Sequence, residues 1–289
     1  MRVAVNLNMF RQELPLLQRY KAAADAGFRQ VEVSFPYSEG AEDLKNTADS
    51  LGLTHTLINA PPGDWSRGFR GLAALPSCQN EFRESIETAI YYAKALRCDK
   101  YASYCTKLRS YRVHVMAGIP SSSNEIDIAG LFLNNITYAA TKLKEVRDVV
   151  RCFFPLANIM CLIEPINHYT VPGYFLSSYE QGKSKSIIDA VKLPNLKIQY
   201  DLFHAQQICG QISATIRKYK DLIGKYSGYV QVAQVPSRDE PCMPGEIDYN
   251  FIFGLLQSTN PGWIVGLEHN FHEAHSAPLE WIRQFGLAM

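Results

Sequence analysis

Eight short runs rich in β-branched residues recur along the chain, each followed by polar loop residues and then by a stretch with helical hydrophobic periodicity. The runs fall at 3–6, 30–33, 54–59, 112–116, 160–164, 196–201, 229–235 and 264–268. The helical stretches fall at 14–26, 41–51, 79–96, 123–143, 178–191, 205–226, 249–257 and 278–285. Repeated βα units of this kind call for parallel strands covered by helices. Eight of them in one continuous array predict an α/β fold in which residues 1–289 form a single (β/α)8 barrel. An open doubly wound sheet is the competing architecture, but no G-x-G-x-x-G turn follows the first run.

Four of the runs carry a polar side chain at or near their end. Glu164 follows Met160-Cys161-Leu162-Ile163, and Asp201 follows Leu196-Lys197-Ile198-Gln199-Tyr200. Gln231 lies in Tyr229-Val230-Gln231-Val232-Ala233, and Glu268 follows Ile264-Val265-Gly266-Leu267. In a parallel barrel the carboxyl ends of the strands converge on one mouth, where active sites lie. Three carboxylates crowded there repel at neutral pH, and a bound divalent cation is the natural way to hold them. An all-oxygen donor set favours Mg2+ or Mn2+ over Zn2+.

Charge narrows the partners. The 29 basic and 28 acidic residues leave a formal net charge of +1, which points to neither a nucleic-acid nor a membrane partner. The segment Met1-Arg2-Val3-Ala4-Val5-Asn6-Leu7-Asn8 alternates like a strand and lacks the apolar core of a signal peptide, and no run is long enough to span a bilayer. A cytoplasmic protein with a small-molecule substrate is therefore expected. The seven cysteines (Cys78, Cys98, Cys105, Cys152, Cys161, Cys209 and Cys242) are scattered without a C-x-x-C pair, which argues against a disulfide framework or a thiolate metal site.

Several segments in order resemble the hydroxypyruvate isomerase family, one of the xylose isomerase-like TIM barrels. They are Leu57-Ile58-Asn59-Ala60-Pro61-Pro62-Gly63-Asp64, Tyr92-Ala93-Lys94-Ala95-Leu96, His114-Val115-Met116-Ala117-Gly118, Ile163-Glu164-Pro165-Ile166-Asn167, Asp201-Leu202-Phe203-His204, Val230-Gln231-Val232-Ala233-Gln234-Val235-Pro236 and Pro244-Gly245-Glu246-Ile247. The similarity spans nearly the whole chain. It implies that Glu164, Asp201, Gln231 and Glu268 hold a metal and that Glu164 and Glu268 are also catalytic. Gln231 depends mainly on the resemblance, since an amide on a strand also serves to bond a neighbour. The implied reaction interconverts hydroxypyruvate and 2-hydroxy-3-oxopropanoate. It needs a proton to leave one carbon, an enediolate to form, and a proton to return at the next. A cation acts there as a Lewis acid, and two carboxylates move the proton.

Other residues carry weaker expectations. His204, three residues after Asp201, reads as a hydrogen-bond donor to substrate or as an ordinary first-turn histidine. Arg238 reads as a grip on the substrate carboxylate or as a solvated loop arginine. His114 reads as a packing residue or, if its register turns it inward, as a functional one; Glu246 reads as a loop or helix-entry residue rather than a catalyst, and Glu32 as a barrel liner or a satisfied surface residue. His269, His272 and His275 follow Glu268 as loop histidines or as a second metal site.

The chain departs from the family in carrying His168-Tyr169 where relatives have a basic residue, and Asn270-Phe271-His272-Glu273 where they have Pro and Gly. Residues 101–111 and 147–158 read as insertions in helix-to-strand loops on the face opposite the site. The second contains Val149-Val150 and Cys152-Phe153-Phe154, apolar enough for a contact surface, so a homo-oligomer is an open expectation. A ketose 3-epimerase, an endonuclease of the same barrel type and a catalytically impaired metabolite-binding barrel are the alternatives. The endonuclease would need further histidine ligands and a basic groove, which the sequence does not offer in the expected places.

Overall fold

Side chains alternate across each strand, and here one face meets helices while the other fills the interior of a cylinder. The computed structural model describes residues 1–97, 111–121, 127–146, 159–179, 184–224, 228–271 and 279–289. Among these the strands are β1 (Arg2–Asn6), β2 (Gln30–Val33), β3 (Thr54–Asn59), β4 (Arg112–His114), β5 (Met160–Ile163), β6 (Leu196–Asp201), β7 (Tyr229–Val232) and β8 (Ile264–Leu267). They pair in parallel in sequence order, and β8 returns to β1 to close the barrel. The helices are α1 (Leu16–Asp25), α2 (Ala41–Leu51), α3 (Gln79–Arg97), α4 (Ile128–Glu145), α5 (Ser184–Val191), α6 (Leu202–Ile208), α7 (Ile212–Ile223), α8 (Tyr249–Thr259) and α9 (Glu280–Gln284).

Local chemistry sets several boundaries. Pro15 immediately precedes α1 with φ −56°, and proline has no N–H to lose there. Asp127 caps α4 by accepting the Gly130 N–H at 2.9 Å. Gly52, at φ +67°, ends α2 in the left-handed region.

Two apolar layers hold the barrel. Outside it, Val3, Val5, Val31, Val33, Val230, Val232 and Val265 are fully buried in the core shared with the helices. Each such side chain contributes about 1.5–3 kcal/mol of burial. Inside it, Ala4, Leu57, Met160, Leu162, Tyr229 and Ile264 form a separate plug. Further toward the carboxyl ends of the strands, the interior turns polar with Asn6, Glu32, His114, Glu164, Gln199, Asp201 and Gln231, all buried.

The predicted runs match the strands, with four shortened at their carboxyl ends, two of them by a single residue. After Val115, whose N–H still donates to Leu162 O at 2.9 Å, the chain turns to the loop following β3, where Ala74 N–H donates to the Ala117 carbonyl at 2.7 Å. After Val232 it folds back under Gln234, whose side chain accepts the Ile247 N–H at 2.9 Å. The helix expected over 205–226 is two helices, because Gly210 and Gln211 take φ +58° and +48° between α6 and α7. The expected insertions, except Tyr111, lie outside the described residues, as do parts of the helices expected at 123–143, 178–191, 205–226 and 278–285. Cys98, Cys105 and Cys152 lie outside them too; Cys78, Cys161, Cys209 and Cys242 form no disulfide among the described residues. No helix among the described residues is long and apolar enough to cross a membrane.

Candidate active site

Glu164 directly follows β5, Asp201 ends β6, Gln231 lies in β7 in register with Asp201, and Glu268 directly follows β8. Parallel pairing brings these four positions to one end of the barrel. There a cavity of about 230 Å³ is lined by Glu164, Gln231, Glu268, His204 and Arg238, together with Asn6, Asn59, His114 and Gln199. Met9, Phe35, Trp65, Met116, Ile166 and Val171 supply apolar wall.

Asp201 has two duties. Its Oδ1 accepts the Phe203 N–H at 2.8 Å and so caps α6, which fixes the side chain at the end of the strand. Its Oδ2 lies 3.6 Å from His204 Nε2 and 3.6 Å from the Arg238 guanidinium. Glu164, Asp201 and His204 each bring one polar atom within 4.8 Å of the others, so the two carboxylates are close enough to share one cation. Glu268 stands across Arg238, which reaches it at 3.1 Å.

Electrostatics make this cluster costly without a counter-charge. Burial, then the charges of Glu268 and Asp201, push the Glu164 carboxyl well above its usual range. Burial raises Asp201 to about 7, against the pull of Arg238, and raises Glu268 in the same sense. Glu164 Oε1 and Asp201 Oδ2 are buried acceptors that receive no hydrogen bond among the described residues. Desolvated carboxylate oxygens in that condition suit a divalent cation.

His204 is held in one tautomer. The Asn167 backbone N–H donates to Nδ1 at 3.3 Å, and the Asn167 side-chain amide nitrogen lies 2.7 Å from the same atom. Amide nitrogens only donate, so Nδ1 accepts and the ring proton sits on Nε2. Burial, then Arg238 and His114, hold the ring's pKa well below the usual histidine range, which keeps it neutral. His204 therefore presents an N–H to the cavity side rather than a lone pair.

Arg238 combines a left-handed backbone at φ +59° with a guanidinium 4.8 Å from the centre of the Phe203 ring. The unusual turn is secured from both sides: its N–H donates to Gln234 O at 2.8 Å, and Asn270 N–H donates to its carbonyl at 2.8 Å.

The remaining expectations resolve individually. Of the two readings of His114 the inward one holds, since it lines the cavity, and Glu32 is fully buried inside the barrel rather than at the surface. Glu246 lies in an exposed loop, where it accepts from Gln206 at 3.3 Å. His269 is buried against Phe271 and Trp281, a packing position, while His272 and His275 lie outside the described residues. Gln199, Asn6 and Asn167 escaped the sequence reading. Gln199 bears the detectable signal: two residues before Asp201 on the same strand, it shares the inward face.

Comparisons with known proteins agree with the fold. The xylose isomerase-like TIM barrel family profile matches residues 20–285. A Caenorhabditis elegans protein provisionally named hydroxypyruvate isomerase is 53% identical over 269 residues, covering 93% of this chain and 92% of that one. A 2-oxo-tetronate isomerase of Cupriavidus necator is 36% identical, covering 98% of each chain. A Brucella melitensis crystal structure described as a family 2 AP endonuclease is 34% identical, with a TM-score of 0.79 and 98% of both chains covered. This chain is an isomerase that belongs to the xylose isomerase-like TIM barrel family.

Proposed function

We propose that the protein is a hydroxypyruvate isomerase, interconverting hydroxypyruvate and 2-hydroxy-3-oxopropanoate. The observation that carries this reading is the convergence of Glu164, Gln231, Glu268, His204 and Arg238 on one cavity. The 53% identity to the Caenorhabditis elegans relative favours the three-carbon substrate over the longer 2-oxo acid named for the more distant relative.

The orphaned oxygens of Glu164 and Asp201 fit a hard cation, Mg2+ or Mn2+, with Gln231 and Glu268 completing an oxygen donor set. Such an ion, when bound, supplies Lewis-acid stabilisation of the negative charge that develops on two adjacent substrate oxygens. The chain's own residues do the rest. Glu164 and Glu268 act as the proton-transferring pair: a proton leaves the hydroxymethyl carbon, an enediolate forms, and a proton returns at the former carbonyl carbon. His204, fixed by Asn167, donates its Nε2 proton in a hydrogen bond to a substrate oxygen. Arg238 grips the substrate carboxylate, for which its planar fork suits two parallel hydrogen bonds. Met9, Phe35, Trp65 and Ile166 give the substrate an apolar wall.

The test is to strip the protein with chelator, restore Mg2+ or Mn2+, and follow product formation from hydroxypyruvate, 2-oxo-tetronate and free ketohexoses. Metal-dependent turnover of hydroxypyruvate with the highest kcat/KM is expected. Turnover of ketohexoses alone would instead identify a 3-epimerase.

A further inference from the structure

Inside the barrel, Glu32 sits at the centre of a hydrogen-bonded cluster that the proposed proton-transfer chemistry does not use. Its Oε1 accepts from Asn6 Nδ2 at 2.7 Å and from Gln231 Nε2 at 3.1 Å. Its Oε2 is engaged by the Tyr229 hydroxyl, which also meets Thr56 Oγ1 at 3.1 Å. The residues come from β1, β2, β3 and β7, and β8 leaves room for them with a glycine. A Cβ on Gly266 would stand 2.5 Å from Glu32 Oε2 and 2.9 Å from Gln231 Cγ. The space is thus shaped around this carboxyl group.

The cluster has a consequence for Gln231. An amide side chain has a donating end and an accepting end, and rotation by half a turn exchanges them. With its carboxyl ionised, or neutral with the proton on Oε2 toward Tyr229, Glu32 presents Oε1 as an acceptor, so the NH2 end of Gln231 faces it. The carbonyl end is then turned away from Glu32, where Gln199 Nε2 donates to it at 2.5 Å. Gln199 Nε2 also donates to Glu164 Oε2 at 3.0 Å, which ties the Gln231 oxygen to the carboxylate cluster. A carbonyl oxygen has two lone pairs, and Gln199 takes one.

We infer that Glu32 is the positioning residue that makes Gln231 present an oxygen, rather than an NH2 group, to the cation. The inference rests on the reading above in which Gln231 belongs to the cation site. Without the Glu32 acceptor, the amide loses the contact at its NH2 end and only the Gln199 donor still favours this orientation, while the flipped form offers no lone pair to the cation. Partners that orient a ligand in this way are typically worth about 10- to 100-fold in metal affinity.

The experiment is calorimetric titration of Mn2+ into chelator-stripped full-length protein, with the thermal midpoint of the metal-free form measured beside it. Wild type is compared with Glu32→Gln, Glu32→Asp and Glu32→Met. Glu32→Gln keeps an oxygen in place to accept from Asn6 and Gln231, so Mn2+ affinity within about threefold of wild type is expected. Glu32→Asp withdraws the acceptor and Glu32→Met removes it, so affinity falls by about 10-fold and up to about 100-fold respectively. If Glu32→Met does not fold, the contrast between Asp and Gln carries the test. Unchanged affinity in Asp and Met with only the thermal midpoint lowered would make Glu32 merely structural and overturn the inference. A loss in Gln as large as in Met would overturn it too, by showing that charge rather than acceptor geometry matters. Wild type that binds no Mn2+ would remove the cation reading itself, a failure distinct from equal binding by wild type and variants.

Discussion

Neither ring nitrogen of His114 receives or donates a hydrogen bond among the described residues, although the side chain is buried and lines the cavity. Burial pushes its pKa down to about 3, so the ring is neutral, with one donor and one acceptor free. Its nearest charged neighbour, Glu164 Oε2, is 3.6 Å from Nδ1, beyond a good hydrogen bond. A polar group left in this condition costs about 1–3 kcal/mol, which a substrate oxygen can offset. His114→Phe should therefore raise the thermal midpoint of the free protein and raise KM for hydroxypyruvate about tenfold, the worth of one hydrogen bond. An unchanged KM would mean that substrate does not meet this ring. The residues at strand ends, such as Glu164 and Asp201, were legible in the sequence because any parallel barrel gathers those positions. Gln199 and Glu32 were harder to read. Whether a mid-strand polar residue faces in or out depends on register, and register is set by the neighbouring strands rather than by the strand itself.

The break between α6 and α7 shows what patterning alone misses at the scale of an element. Apolar residues recur at helical spacing across 205–226, which read as one helix, yet Cys209-Gly210-Gln211 interrupts it. Gly210 tolerates φ +58° without penalty, and Gln211 follows at φ +48°. The consequence is functional placement: α6 is a short helix whose first turn carries His204 and whose cap is Asp201, so the break frees that turn from the longer helix behind it. An alanine at Gly210 would meet nothing closer than Gln206 O at 3.9 Å, so its cost is conformational rather than steric. Gly210→Ala should destabilise the protein by about 1–2 kcal/mol, the strain of a left-handed residue bearing a Cβ. Denaturant titration measures this, and a variant as stable as wild type would show that the turn relaxes freely. Elsewhere the strands were readable to within a few residues, because a buried parallel strand is a near-continuous apolar run with few competitors.

For the whole molecule, stability and chemistry respond to different groups. His55 is buried between β3 and α1, with Tyr20 Oη 2.7 Å from its Nε2. Burial lowers its pKa to about 4, with Asp49 opposing. Because the folded value lies below the ordinary value near 6.5, the unfolded chain binds the extra proton first as pH falls. The stability due to neutral His55 is therefore fully present above about pH 6.5 and lost as pH falls toward 4, on the order of 2–3 kcal/mol. Chemical denaturation across this window should show a steeper decline in wild type than in His55→Phe; parallel curves would contradict the assignment. The barrel as a cylinder supports the site in a different sense, by bringing Glu164, Asp201, Gln231 and Glu268 together from sequence positions 104 residues apart at the extremes (268 − 164). The most direct test of the account is deuterium exchange from solvent into hydroxypyruvate carbon, followed by NMR in wild type, Glu164→Gln and Glu268→Gln, each with and without Mn2+ after chelation. Exchange is expected in wild type with the ion restored, absent after stripping, and about 10²–10⁴-fold slower in either variant. Exchange that proceeds equally in the stripped protein and in both variants would contradict it.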